Sequence, residues 1–302
     1  MALKHVKNKI IATKKTGQVT KAMESVSAVK MRKSQERAFL SRPYVHAALR
    51  ILSQLVNSQD GLNHPLAQSR GGDKRLVIIV TSDKGLAGSV NSAVLKRVEE
   101  ALRTADVSTY DAICIGRKAV EFCKRSQVPI IHEYTNVSDG VGIDDVGDIT
   151  AEALRGFATE EYNHVHIIYQ NFLSTFEQEP TKRQLLPLDP NEIHYIMRGI
   201  KPKTGVFSEE TAPAALNTTY TVEPSPEAVL DTLIPQLVQI MIYHALLESK
   251  ASEHSARMVA MKNATDKSKE MIKSLTILYN KERQAAITAE VSEITAGAEA
   301  MQ

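Results

Sequence analysis

Apolar positions along this chain change their period twice. From about Leu3 to Val56 they recur every three to four residues: Val19, Met23 and Val26 share one face, and Val45, Leu49, Leu52 and Val56 continue such a stripe. Gly17 and Pro43 are the only glycine and proline in that stretch. The pattern predicts one long helix, which Pro43 either kinks or divides by removing a backbone donor. Between Asn57 and Lys74 the composition turns to Gly, Asn, Ser and Gln, with Pro65 and the pair Gly71-Gly72, which predicts a loop or linker.

The second pattern is one of short β-branched runs. Leu76 to Val80, Ala112 to Ile115 and Val165 to Tyr169 alternate with helix-like stretches around 90–103, 117–126 and 143–158. Alternating strand and helix predicts a largely parallel sheet covered on both faces. Two later runs, Ile193 to Met197 and Thr218 to Val222, read as added edge strands separated by long loops.

The third pattern opens at Ser225-Pro226-Glu227: a capping residue, a proline suited to the first helical position, and a carboxylate at the positive end of the dipole. Leu230, Leu233, Ile234, Leu237, Ile240 and Met241 then form one stripe. Beyond Met258 the series Met261, Thr265, Ser268, Ile272, Leu275, Tyr279 steps by three and four, a heptad seam with small polar members. Past Pro235 this helix has room for roughly 110 Å at 1.5 Å per residue. No domain of this size covers such a length, so the first helix is its natural partner.

The reading is therefore α/β with a long antiparallel coiled coil of N- and C-terminal helices: residues 1–56 the first helix, 57–74 a linker, 75–223 an inserted α/β domain, and 224–302 the last helix. The distal seam is rich in Ala, Ser, Thr and Gly and poor in Leu. A hairpin built on it is weakly held and calls for an enclosing partner.

Charge sharpens this picture. The formal net charge is only +2, yet from Met1 to Arg42 eleven Lys and Arg face only Glu24 and Glu36. This basic arm reads as a solvated helix face, a nucleic-acid contact, or a surface complementary to an acidic protein collar. Few aromatics and no groove-entry motif speak against nucleic acid. From Glu248 onward eight basic residues balance eight acidic ones. No apolar run approaches the ~18 residues of a membrane span, and the N-terminus lacks an apolar signal region. Cys114 and Cys123 are the only cysteines, one in an apolar strand and one in a helix. They read as buried reduced thiols rather than a disulfide framework.

Candidate chemistry is sparse. The loop Ser82-Asp83-Lys84-Gly85-Leu86-Ala87-Gly88 follows a strand and opens a helix, as a nucleotide site would. Its glycines miss the G-x-G-x-x-G spacing, and it lacks the Gly-Lys-Ser/Thr ending of a P-loop. His164 and His166 alternate on one strand near His132, without Cys or carboxylate at ligand spacing. Asp139, Asp144, Asp145 and Asp148 cluster, but not in the order of an EF-hand loop. Met23, Met31, Met241, Met258, Met261 and Met271 fall on helical stripes as packing residues. No catalytic constellation, cofactor site or metal site is assigned. A nucleotide-dependent α/β enzyme and a coiled-coil tether are the competing readings.

Several stretches in order resemble one family, the gamma subunits of rotary ATP synthases. Val19-Thr20-Lys21-Ala22-Met23-Glu24 and Lys30-Met31-Arg32-Lys33-Ser34-Gln35 resemble its first-helix signature. The run from Ala251 to Thr265 and that from Tyr279 to Thr288 resemble its C-terminal one. Ser82 to Asn91 is similar to the family's strand-to-helix turn, with Ala87 and Ser89 in place of its usual Cys and Gly.

The resemblance implies a Rossmann-like α/β domain inserted in a rotor hairpin and a chain with no catalysis of its own. It implies enclosure by a ring of alpha and beta subunits, with epsilon and a membrane c-ring at the foot. It places the residues matching Met23, Arg283, Gln284 and, as a lesser candidate, Arg257 against beta. Tyr220 and Glu223 match residues facing the c-ring. It leaves the basic arm to steer toward acidic beta loops. An initiator Met directly before the matching region favours the cytoplasmic face of a bacterial inner membrane over the mitochondrial matrix side. No inserted redox-sensing cysteine pair is seen.

Overall fold

The computed structural model describes residues 2–58, 64–103, 106–189 and 223–300. In chain order these form α1 (Ala2–Ser58), β1 (Arg75–Val80), α2 (Val90–Leu102), β2 (Tyr110–Ile115), α3 (Arg117–Arg125), β3 (Ile130–Tyr134), α4 (Gly147–Ala158), β4 (His164–Phe172), β5 (Gln178–Leu186) and α5 (Pro226–Glu299). Two compact units result, Ala28–Ala256 and the pair Met1–Ser27 with Arg257–Gln302. Pro43 lies inside the single helix α1 and Pro235 inside α5.

In the α/β unit the strand order is β3-β2-β1-β4-β5. The first four strands are parallel, with Arg75↔Tyr110 and Arg75↔His164 starting the central registers. β5 returns antiparallel along β4, from Phe172↔Gln178 to Val165↔Leu186. β1 is apolar almost throughout because both of its faces are covered. Leu76, Ile78 and Val80 meet Ile149, Ala153 and Phe157 of α4, the Leu230–Leu246 stripe of α5, and Ala48 and Leu52 of α1. Val77 and Ile79 face Val94 and Val98 of α2 and Ala119, Val120 and Cys123 of α3. Each such Leu, Ile or Val contributes on the order of 1.5–3 kcal/mol by leaving water.

Cys114 and Cys123 meet inside the second layer as buried free thiols, with sulfurs 3.5 Å apart. α5 begins where its capping pattern predicts: the Ser225 hydroxyl accepts the Ala228 amide at 3.2 Å, and Glu227 lies in the first turn.

Three expectations change. β3 and β5 have no counterpart among the predicted strands. β3 is short and half-exposed, and β5 carries Pro180, Lys182 and Arg183, which only an edge strand tolerates. The proposed edge strands at Ile193 to Met197 and Thr218 to Val222 lie outside the described residues. Finally, α5 does contain an eighteen-residue window apolar enough to cross a membrane, but 61% of it is buried within the protein, as in a core helix.

Candidate partner-binding surface of the helical hairpin

The unit made by the two chain ends is an antiparallel pair. The Thr20 and Thr265 hydroxyls meet at 2.7 Å. A Cβ on Gly17 would stand 3.3 Å from Cβ of Ser268, and the Thr13 hydroxyl lies 3.8 Å from the Met271 sulfur. One helix descends as the other climbs. On α1 the most buried positions are spaced by sevens, Val6, Thr20 and Ser27, with Thr13 between them half-buried. On α5 they are Arg257, Met261, Thr265 and Ser268, followed by half-buried Ile272, Leu275 and Tyr279. The seam predicted for α5 is therefore correct.

The face that Val19, Met23 and Val26 share on α1 lies outside that seam. Val19 and Val26 are 59% and 55% exposed, Met23 is half-buried, and the small polar Thr20 and Ser27 point inward in their place. The reason is separation: where the helices approach with Gly17 against Ser268, small residues let the backbones close, while Val6 fills the seam nearer the start of α1. The hydroxyls remain satisfied, because Thr20 donates to Gly17 O at 3.1 Å and Thr265 to Met261 O at 2.8 Å, or to each other.

The apolar residues displaced from the seam are on the surface. Ile11, Val19 and Val26 of α1 and Ile277, Ile287 and Ile294 of α5 are all exposed. Lys4, Lys7, Lys9, Lys14, Lys15 and Lys21 are exposed too, with Lys21 paired to Glu24 at 2.9 Å. From Arg283 to Ala298 every residue of α5 is exposed.

The expected contact residues are thus not one cluster. Arg283 and Gln284 are exposed on the last turns of α5. The pairing register sets Met23 opposite the turn around Lys262, some 30 Å away at 1.5 Å per residue. Arg257 is only 7% exposed and is engaged within the protein. Glu223 is exposed just before α5, and Tyr220 lies outside the described residues.

In the α/β unit the strand order reverses between β1 and β4, where open sheets of this kind bind nucleotides. Here α5 lies over that point. Leu246, Ser249, Lys250 and Glu253 line the crevice with Thr81, Asp83 and Gly116. The Ser252 hydroxyl donates to Gln170 O at 3.2 Å and the Ser255 hydroxyl to Thr175 O at 2.7 Å. The amides at the start of α3, which a phosphate would need, are taken by the protein: Arg117 N donates to Asp83 at 3.0 Å and Ala119 N to Thr81 at 2.9 Å. The loop after β1 is closed by Asn91, which accepts Ser82 N at 2.9 Å and donates to the Ser82 hydroxyl at 2.7 Å. Gly88 sits at φ +59, the backbone reason for a glycine in that turn.

His166 is buried beside His164, and burial first, then Lys182, pushes its pKa down to about 3. It is a neutral core imidazole. Among the described residues no three His, Cys, Asp or Glu side chains converge as a metal site. Asp139 leaves the expected acidic cluster and is ringed by cations, a feature that sequence reasoning missed. Its partners come from two helices far away in sequence, and no local pattern announces them.

Comparison with known proteins agrees with the fold. The central stalk and c-ring structure of the Tetrahymena thermophila mitochondrial ATP synthase contains a chain 24% identical, with TM-score 0.58 over 82% of this chain and 99% of that one. A Euglena gracilis mitochondrial ATP synthase rotor chain is 16% identical, with TM-score 0.61 over 95% and 99%. A chain of the same organism's OSCP/F1/c-ring structure, also 16% identical, reaches 0.65 over 99% and 94%. The family model for ATP synthase matches residues 2–301. The resemblance carried by the terminal motifs is borne out: the chain belongs to the ATP synthase family and has the fold of its central-stalk rotor subunit.

Proposed function

We propose that this chain is the gamma-type rotor shaft of a rotary ATP synthase, coupling ion-driven c-ring rotation to the conformational cycle of catalytic beta subunits. The observation that carries this reading is the hairpin with Thr20, Ser27, Thr265, Ser268 and Gly17 on its seam and Ile11, Val19, Val26, Ile277, Ile287 and Ile294 outside. A free helix pair gains nothing from that arrangement, whereas a shaft enclosed by a ring of alpha and beta subunits buries both sides. Epsilon and the c-ring are the partners for the foot, and the exposed lysines of α1 favour an acidic collar. The chain is peripheral to its membrane. Its proposed side is the cytoplasmic face of a bacterial inner membrane, and the mitochondrial matrix side is the alternative.

The chain itself performs no catalysis in this reading. The helix over the sheet's switch point and the occupied α3 amides support it. Met23, Arg283 and Gln284 are the proposed beta contacts. Arg257 can join them only by leaving the contacts that cover it. Tyr220 and Glu223 are the proposed foot contacts. A shaft with different faces biases three catalytic sites differently, so rotation becomes a difference in nucleotide-binding free energy. A charge-assisted hydrogen bond from Arg283 made in one rotor angle and lost in the next contributes about 1.5–3 kcal/mol.

Purification of the tagged chain from its native membranes tests the reading. Co-elution with alpha and beta ATPase subunits is expected; elution alone overturns it. In the assembled complex, Arg283→Ala with Gln284→Ala should lower steady-state ATPase and coupled synthesis several-fold without loss of assembly. Micromolar ATP binding by the isolated chain, measured by titration calorimetry, would contradict the non-catalytic assignment.

A further inference from the structure

Asp139 has three basic partners. It sits in the loop between β3 and α4, with Lys30 Nζ 2.7 Å from Oδ2 and His254 Nε2 2.9 Å and Lys250 Nζ 3.8 Å from Oδ1. The loop backbone is held from the same two directions: Arg37 donates to Asp139 O at 2.9 Å, Lys250 to Val137 O at 2.8 Å, and Gln239 to Ile143 O at 3.0 Å. Lys30 and Arg37 belong to α1; Gln239, Lys250 and His254 belong to α5. One loop of the α/β body therefore grips both long helices, and a single carboxylate joins Lys30 of one to Lys250 and His254 of the other.

The grip is half-exposed at its α1 end, where the Lys30 and Asp139 side chains are 42% and 36% exposed, and buried at its α5 end. The His254 side chain is only 4% exposed and that of Lys250 13%. The loop is shaped around the contact: Asn136 adopts φ +58, and the Gly140 amide donates to the Ser138 hydroxyl at 3.0 Å. A Cβ at Gly140 would stand 3.3 Å from the Ser138 hydroxyl and 3.6 Å from the Arg37 guanidinium. Burial works to raise the Asp139 pKa, but Lys30, His254 and Lys250 together outweigh it and hold the carboxyl at about 2. The charge is thus retained at any physiological pH.

We propose that Asp139 is a positioning residue for rotary coupling: it latches the β3–α4 loop across Lys30 and His254, so that α1, α5 and the α/β body twist as one under load. Two helices joined only by apolar packing can slide, because dispersion contacts are non-directional. A carboxylate fixed between a half-exposed Lys30 and a buried His254 and Lys250 gives the contact a direction that apolar packing lacks, and losing the carboxylate leaves the two buried partners uncompensated. The inference rests on the rotor reading, and its force lies in the load the rotor carries.

The test uses Asp139→Asn in the assembled complex, with the milder Lys30→Met as a second variant and Asp139→Glu as the conservative rescue. Co-purification with alpha and beta is scored first; absence of even the parent chain from that complex would sink the rotor reading independently of the latch. Unloaded ATPase, measured with the ion gradient dissipated, should stay near the parent rate in both variants. The largest gradient that ATP-driven pumping sustains, and synthesis against it, should fall several-fold in Asp139→Asn, less in Lys30→Met, and recover in Asp139→Glu. Equal loss of loaded and unloaded activity, tracking a lower Tm, would reduce Asp139 to a stability contact. Unchanged loaded activity in both variants would overturn the latch.

Discussion

The two units of this protein bury opposite kinds of residue. In the α/β body, Leu, Ile and Val fill the interior from both faces of the sheet. In the hairpin, Thr20, Ser27, Thr265 and Ser268 are inside while Val19, Val26, Ile277 and Ile294 are outside. The body can hold itself together by the hydrophobic effect alone. The hairpin gains less from it, because Thr20, Ser27, Thr265, Ser268 and Gly17 occupy much of a seam in which Val6 and Met261 are the buried apolar residues. A helix pair built this way is shaped for what surrounds it.

The strongest way to break this contrast is to cut the interior of each unit. Leu237→Ala removes a side chain only 2% exposed on the α5 stripe and should cost about 2–5 kcal/mol. Truncation at the hairpin seam should cost much less. Urea unfolding followed by circular dichroism gives both values. Similar losses in the two units would show that the hairpin seam is a true core.

Acid sharpens the comparison, since the body buries a titratable group where the hairpin seam buries hydroxyls that do not titrate. Folded, His166 stays neutral down to about pH 3, against an ordinary value of 6.5. The unfolded chain takes up the proton first, so stability present above pH 6.5 is lost as pH falls toward 3, by up to about 1.4 kcal/mol per pH unit. His166→Gln should flatten that window in denaturation measured between pH 7 and pH 4. Asp139, at about 2 against 3.8, contributes below it: its stabilisation is present above pH 3.8 and is lost as pH falls to 2.

The body was legible in the sequence where residues had one job. Leu76 to Val80 can only be a strand covered on both faces, and Ser225-Pro226-Glu227 only a helix start. β5 was hidden because an edge strand need not be apolar, and Gln178 to Arg183 look like loop. On α1 the apolar period was real, but Val19 and Val26 point outward while Leu52 points into the body; a helical stripe does not say whether its partner is the same chain or another. That ambiguity is why the sequence could place Val19 and Val26 on one face without saying which way the face points. The Asp139 node joins residues more than a hundred positions apart, a distance at which no spacing rule operates.

A smaller effect is expected from the hydroxyl pair at the centre of the seam. Thr20→Val alone leaves Thr265 able to donate only to Met261 O, and should cost on the order of 1 kcal/mol. Replacing both with Val keeps the shape and removes both polar groups, and should restore most of the loss. A double-mutant cycle by chemical denaturation reads the coupling directly. Additive losses would show that the 2.7 Å contact between the hydroxyls contributes nothing.

The smallest effect on stability comes from the residues that give the hairpin its character. Ile277 and Ile294 are 72% and 71% exposed on α5. Neither touches a core, so Ile277→Asn with Ile294→Asn should change the unfolding free energy of the isolated chain by less than about 0.5 kcal/mol per site. The free chain should become more soluble, because two apolar side chains leave its surface. In the assembled complex the same changes put amides where an enclosing ring would bury methyl groups, and each unpartnered amide there costs about 1–3 kcal/mol. Assembly with alpha and beta subunits, followed by native gel electrophoresis, should therefore fall sharply while the Tm of the free chain stays put. A loss of stability in the free chain would mean that these isoleucines pack within the hairpin itself. Intact assembly would mean that the ring does not close over this part of α5.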